Sequence, residues 1–252
     1  MYDGQMPAAP AIEICDLTKQ FRGSLYPAVD KVSFSCGAGE ILGIIGENGA
    51  GKTTILRLLA TMLTPDSGSG TVCGYKLLSN PLQVRHSIGI LFGGTDGLYE
   101  RLSAAENILY FARLNGLNLK EANRRLTQIS DLLDLNDFLD RRAGTFSTGM
   151  RQRTLIARAL VHDPQLMLLD EPVTGLDPAA ARNIYQFIES CRQSGRTLIF
   201  STHDLTAAER LCDRVMILHK GRIAALDTPQ HLAGSKCLEE RLFEIIRGGA
   251  DL

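Results

Sequence analysis

The chain is 252 residues long, 44% hydrophobic and 22% charged, enough apolar content to bury a sizeable core and to exclude disordered or collagen-like classes. Lys and Arg number 27 against 28 Asp and Glu, with the signs interspersed, so no general attraction to nucleic acid or anionic lipid is expected. The longest apolar runs, such as Ile41 to Ile45 and Leu166 to Leu169, are strand-sized and far short of the ~20 residues of a membrane-spanning helix. The opening MYDGQMPAAP lacks the basic start and apolar stretch of a secretory signal, so a cytosolic protein is expected, with any membrane role supplied by a partner. Cys15, Cys36, Cys73, Cys191, Cys212 and Cys237 form no CxxC, and the histidines form no HExxH; buried reduced thiols and no zinc site are expected.

In chain order, Ile12 to Leu17, Val29 to Phe34 and Glu40 to Ile45 read as strands, and Gly51 to Met62 as a helix. Ser103 to His162 changes texture and is almost wholly helical. Ser103-Ala104-Ala105-Glu106 forms a capping box for a helix through Leu114, and Asn118 caps a second to about Leu135. Strand and helix then alternate again: Gln165 to Leu169, Pro178 to Ser194, Arg196 to Ser201, Leu205 to Cys212, Arg214 to Leu218. Ser235 to Arg247 is a short amphipathic helix before a fraying tail. No linker divides the chain. The reading is one α/β domain over 1–252: a core of 1–92 and 163–234 built on a parallel sheet covered on both faces, a helical insertion at 93–162, and a C-terminal helix and tail at 235–252.

Gly46-Glu47-Asn48-Gly49-Ala50-Gly51-Lys52-Thr53 is a GxxxxGK[ST] phosphate loop between a strand and a helix. Glycines let the backbone curl so that N–H groups point at phosphate oxygens, and the helix N-terminus adds partial positive charge. The binding residues expected here are Gly46, Asn48, Gly49, Ala50, Gly51, Lys52, Thr53 and Thr54, with Lys52 on the β- and γ-phosphates and the Thr53 hydroxyl suited to Mg²⁺. The apolar run Leu166 to Leu169 ends in Asp170-Glu171, which emerge at the carboxyl edge of a parallel sheet, beside that loop. Asp170 is placed for Mg²⁺. Glu171 is placed to take a proton from the water attacking the γ-phosphorus.

Between these two sites, Phe146-Ser147-Thr148-Gly149-Met150-Arg151-Gln152-Arg153 resembles the LSGGQ signature of ATP-binding cassette (ABC) ATPases, with Thr148 and Met150 departing from it. Thr174-Gly175-Leu176-Asp177 resembles that family's D-loop, and Ser201-Thr202-His203-Asp204 its switch histidine. The resemblance runs from Ile12 to about Leu232. It implies a RecA-like P-loop NTPase core with an antiparallel β edge, and an ATP hydrolase coupled to transmembrane transport. It also implies that His203 bonds the γ-phosphate, that Phe21 stacks on adenine with Ala28 nearby and Tyr26 competing for the role, and that Ser147, Gly149 and Asp177 complete a composite ATP site.

One departure stands out, because Gly93 occupies the position where the family has a Gln that senses Mg²⁺ or water. Water filling the vacated coordination position and a flexible hinge at Gly93-Gly94 are expected. Phe92-Gly93-Gly94 and the variant signature look like ATPases of bacterial exporters for sodium ions, drugs or polysaccharides. The expected assembly is a head-to-tail homodimer sandwiching ATP, bound to a permease on the cytoplasmic face of the membrane. An importer ATPase and a non-transport ABC ATPase driving a membrane-anchored partner remain the alternatives.

Overall fold

The computed structural model describes residues 9–92, 97–234 and 236–248. Its first part runs β1 (Ile12–Lys19), β2 (Val29–Cys36), β3 (Ile41–Gly46), α1 (Lys52–Leu59), β4 (Ser67–Val72), β5 (Tyr75–Lys76), α2 (Pro81–Ser87) and β6 (Ile88–Leu91). Then come α3 (Ala104–Leu114), α4 (Leu119–Leu132), two 3₁₀ turns and α5 (Thr148–Leu160). The chain finishes with β7 (Leu166–Asp170), α6 (Pro178–Gln193), β8 (Thr197–Ser201), α7 (Leu205–Leu211), β9 (Arg214–His219), β10 (Arg222–Asp227), α8 (Pro229–Ala233) and α9 (Leu238–Gly248).

Two sheets form. The larger, in the order β10-β9-β3-β8-β7-β6, is parallel except for β10, which pairs antiparallel with β9 at the edge. The smaller, β2-β1-β4-β5, is antiparallel throughout. The expected α/β core with an antiparallel β component and an inserted run of helices is thus what the chain builds.

Side chains alternate across the large sheet with the period of 2 that a strand imposes. Leu42, Ile44, Leu166, Leu168 and Ile199 face α1 and the small sheet, joining Ile55, Leu56, Ile12 and Val32 in one buried cluster. Ile41, Ile45, Met167, Leu169, Leu198 and Phe200 face the other way and join Ile156, Ile184 and Phe187. That second cluster continues without a break into Ile108, Leu126 and Ile129 of α3 and α4.

Helix starts follow their capping residues. Ser103 accepts from the Glu106 amide while the Glu106 carboxylate accepts from the Ser103 amide, and Asn118 accepts from the Glu121 amide. Helix ends fall earlier than periodicity suggests. α1 stops at Leu59, with Thr61 at φ 54° turning the chain, and α4 stops at Leu132, with Asp134 at φ 52° doing the same. The apolar residues beyond those points continue the pattern but not the helix. β4, β5, α2, β10 and α8 have no counterpart in the sequence reading; β4 is SGSGTV, with no apolar alternation to mark it. Among the cysteines, Cys36, Cys191 and Cys212 are buried, as expected, but Cys15 and Cys237 are exposed, which corrects the expectation for those two. Burial pushes the Cys191 thiol up to about 12, so it stays protonated. No described helix is long and apolar enough to cross a membrane.

Candidate active site

Strand β3 delivers the phosphate loop to the carboxyl edge of the large sheet, and α1 begins directly after it. The N-cap Gly51 sits at φ 109°, and a Cβ there would lie 2.4 Å from the Ala28 carbonyl oxygen. Only glycine fits both that dihedral and that approach. Ala28 therefore reaches the phosphate loop through its backbone carbonyl, whereas the expectation for it was a place beside the adenine. Asn48 and Gly49 are exposed at the loop's tip, Ala50 is buried, and Thr54 lies half-buried on the first turn of α1.

Lys52 folds back over its own loop, where its ammonium donates to the Gly46 carbonyl at 2.7 Å and the Glu47 carbonyl at 3.1 Å. Burial holds its pKa below the ordinary value, against the opposing pull of Glu171 and then Asp170. Strand β7 supplies those carboxylates. The Thr53 hydroxyl donates to Asp170 Oδ2 at 2.8 Å, and the Ser201 hydroxyl donates to Asp170 Oδ1 at 2.6 Å. Glu171, at φ 48°, turns out of the strand; its Oε1 meets His203 Nε2 at 2.6 Å and its Oε2 accepts from the Thr174 hydroxyl at 3.0 Å.

The fold thus gathers Gly46 to Thr54, Asp170, Glu171 and His203, residues separated by more than a hundred positions in the chain, at one sheet edge. Ser201, Thr174 and Gln152 stand inside motifs quoted from the sequence, but the sequence reading gave them no role of their own. Gln152 is buried on α5 and its side-chain amide donates to the Pro172 carbonyl at 2.7 Å, one residue past Glu171. Ser201 was legible in principle: β7 and β8 pair in parallel with Asp170 opposite Ser201, and strands of equal length ending together would have placed them side by side.

Other expected residues sit elsewhere. Ser147 caps α5, its hydroxyl accepting from the Met150 amide at 3.3 Å rather than from the phosphate-loop group. Gly149 is buried where a Cβ would lie 2.7 Å from the Ala180 Cβ, so its small size is already needed for α5 to pack on α6. Asp177 caps α6 through the Ala180 amide at 2.9 Å. Phe21 and Tyr26 share the loop between β1 and β2, with relative exposures of 43% and 78%, so neither aromatic is consumed by the core. Gly93 and Gly94 lie outside the described residues.

Residues 29–174 match the family described as ABC transporter. The chain is 43% identical over 214 residues to the ABC transporter ATP-binding protein NatA of Bacillus subtilis (strain 168), covering 84% of this chain and 87% of that protein. It is 38% identical over 226 residues to the Nod factor export ATP-binding protein I of Rhizobium meliloti, covering 90% of this chain and 67% of the relative. For the daunorubicin/doxorubicin resistance ATP-binding protein DrrA of Streptomyces peucetius, identity is 37% over 237 residues, 93% of this chain and 71% of the relative. Among solved structures, an ATP binding subunit of an ABC transporter superposes with a TM-score of 0.83 at 31% identity, covering 93% of this chain and 99% of that one. A dimeric ATP-binding cassette in a post-hydrolysis state with ADP and Pi gives 0.77 at 25% identity, covering 86% and 98%. Sequence and fold agree over nearly the whole length, and the chain belongs to the ABC transporter family, as one of its subunits that bind and hydrolyse ATP.

Proposed function

We propose that the chain powers a membrane-embedded exporter, working as a homodimer bound to a permease on the cytoplasmic face of the membrane. The observation that carries the catalytic part of this reading is the contact of Glu171 with His203 at 2.6 Å, beside Asp170 and the phosphate loop. In this reading Lys52 and the loop amides from Gly46 to Thr54 hold the phosphates, and Phe21 stacks on adenine beside Ala28. The Thr53 hydroxyl and the Asp170 carboxylate, 2.8 Å apart, are hard oxygen donors of the kind Mg²⁺ takes. Held by these two oxygens, Mg²⁺ would supply neutralisation of phosphate charge. Glu171 accepts the proton of the attacking water and His203 orients that water against the γ-phosphate.

Ser147, Gly149 and Asp177 are proposed to act on the ATP held by a second copy; within this chain Ser147 and Asp177 cap their own helices and Gly149 packs on Ala180. Relatives named for Nod factor export and for daunorubicin/doxorubicin resistance support export over import. They favour an organic cargo as much as the sodium ion suggested by sequence, and the permease would make that choice. The test is Glu171→Gln in the purified chain. ATP binding is expected to persist while turnover slows by roughly 10²–10⁴-fold, the range for loss of a general base. Turnover within about tenfold of the parent would remove Glu171 from that role.

A further inference from the structure

Strands β7 and β8 run parallel and in register, Leu168 beside Ile199 and Asp170 beside Ser201. Because alternate residues share a face, Asp170 and Ser201 continue the row begun by Leu168 and Ile199, toward α1 and its Thr53. Ser201 is completely buried, yet it ends a strand whose middle residues are all apolar, Thr197-Leu198-Ile199-Phe200-Ser201. A hydroxyl at such a place needs partners, and it has two of opposite kinds. It donates its proton to Asp170 Oδ1 at 2.6 Å and accepts the Glu171 amide at 2.9 Å.

Both partners depend on it. Asp170 has its other oxygen taken by Thr53, so the Ser201 bond fixes the carboxylate's rotation as well as its position. Glu171 adopts φ 48°, a left-handed conformation costly for a side chain with a Cβ, and its amide bonds to Ser201. That conformation sends the Glu171 carboxylate to His203, two residues beyond the strand end at Ser201.

We propose that Ser201 is a positioning residue for ATP hydrolysis, one buried hydroxyl that sets both the Asp170 carboxylate and the backbone turn of Glu171. The proposal rests on the reading of Asp170 and Glu171 given under the proposed function. Ser201 touches neither nucleotide nor water in this scheme. Its removal acts on how well two other residues are aimed.

The experiment compares the full-length parent with Ser201→Ala, Ser201→Cys and Glu171→Gln. Cysteine matches serine closely in shape but is a weak donor and acceptor, so it tests the hydroxyl with the packing nearly intact. Two quantities are read: kcat and KM for ATP, and binding of a fluorescent ATP analogue titrated with Mg²⁺, which requires no turnover. Ser201→Ala and Ser201→Cys are both expected to lower kcat about 10–100-fold, the range for partners that orient metal ligands, with KM within about twofold. Each is expected to raise the Mg²⁺ concentration for half-maximal analogue binding by about tenfold. A kcat within about twofold of the parent in Ser201→Cys overturns the proposal, and so does an equal loss of analogue binding with and without Mg²⁺, which would mark a purely structural role. If Glu171→Gln slows turnover and Ser201→Cys does not, only the role of Ser201 fails. If Glu171→Gln itself turns over normally, the reading of the carboxylates fails first.

Discussion

Gly51 shows how much a single residue without a side chain decides. With φ at 109° and the Ala28 carbonyl 2.4 Å from any added Cβ, alanine there must displace either the loop carrying Ala28 or the start of α1. Strain of this kind is worth about 1–3 kcal/mol, so Gly51→Ala is expected to weaken ATP binding by about tenfold or more in a nucleotide titration. Asp66 acts on the same loop from its other end. Its carboxylate accepts from the Gln20 amide at 2.7 Å and from Lys19 at 2.9 Å, directly before Phe21. The Gln20 amide and then the Lys19 ammonium hold its pKa below the ordinary 3.8. A carboxyl whose pKa falls on folding lends stability above its unfolded value, and that stability is lost as pH drops through the folded one. The anchor is therefore expected to be intact at neutral pH and to loosen below pH 3.8. Asp66→Asn should bring part of that loosening to pH 7 and weaken ATP binding about two- to fivefold, the range for losing an exposed charged pair. Unchanged affinity would separate this loop from the nucleotide. Motif residues such as Lys52, Asp170 and Glu171 were legible because spacing marks them. Ser201, Thr174 and Gln152 were not, because a hydroxyl or an amide at those places acquires meaning only once strand register and helix packing bring it to a carboxylate or its backbone.

At the scale of elements, the start of the helical segment is set by buried polarity. Asn107 on α3 is fully buried; its side chain accepts from the Tyr99 amide at 2.8 Å and donates to the carbonyls of Tyr99 at 3.1 Å and Ser103 at 2.8 Å. Asn107→Ala leaves the Tyr99 amide without its acceptor, while the two carbonyls keep the backbone amides of Leu102 and Asn107, and is expected to cost about 1–3 kcal/mol in chemical denaturation, where a surface asparagine would cost almost nothing. The capping box next to it was legible, since Ser and Glu at that spacing announce a helix start with a mechanism attached. The ends of α1 and α4 were not, because apolar residues continue past both while the backbone turns left-handed at Thr61 and Asp134. Gly149 illustrates the same limit in reverse. The signature pattern gave it a role toward a ligand, and the fold adds a contact with Ala180 that pattern alone does not contain.

For the whole molecule, the α/β alternation and the helical insertion could be read because buried parallel strands are continuous apolar runs. The small antiparallel sheet was only half visible, since β4 and β5 lack that signal. In the proposed homodimer Ser147, which caps its own helix in this chain, would meet the ATP of a second copy. ATPase activity of the isolated chain is therefore expected to rise faster than linearly with its concentration, and strict proportionality in a dilution series would argue for a self-sufficient single chain.

The apolar cluster beneath α3, α4 and α5 is the same one that covers a face of the large sheet. In the proposed exporter, that continuity sets the cost of moving the helical segment against the sheet. Each ~100 Å² of apolar surface uncovered costs about 2.5 kcal/mol, so a wide opening between helices and sheet would exhaust what one ATP site can drive. The displacement with the lowest such cost would keep side chains interlocked and slide one layer over the other, a shear, in contrast to the hinge expected at Gly93-Gly94, which lies outside the described residues. Force would then reach a membrane partner as a short, stiff stroke.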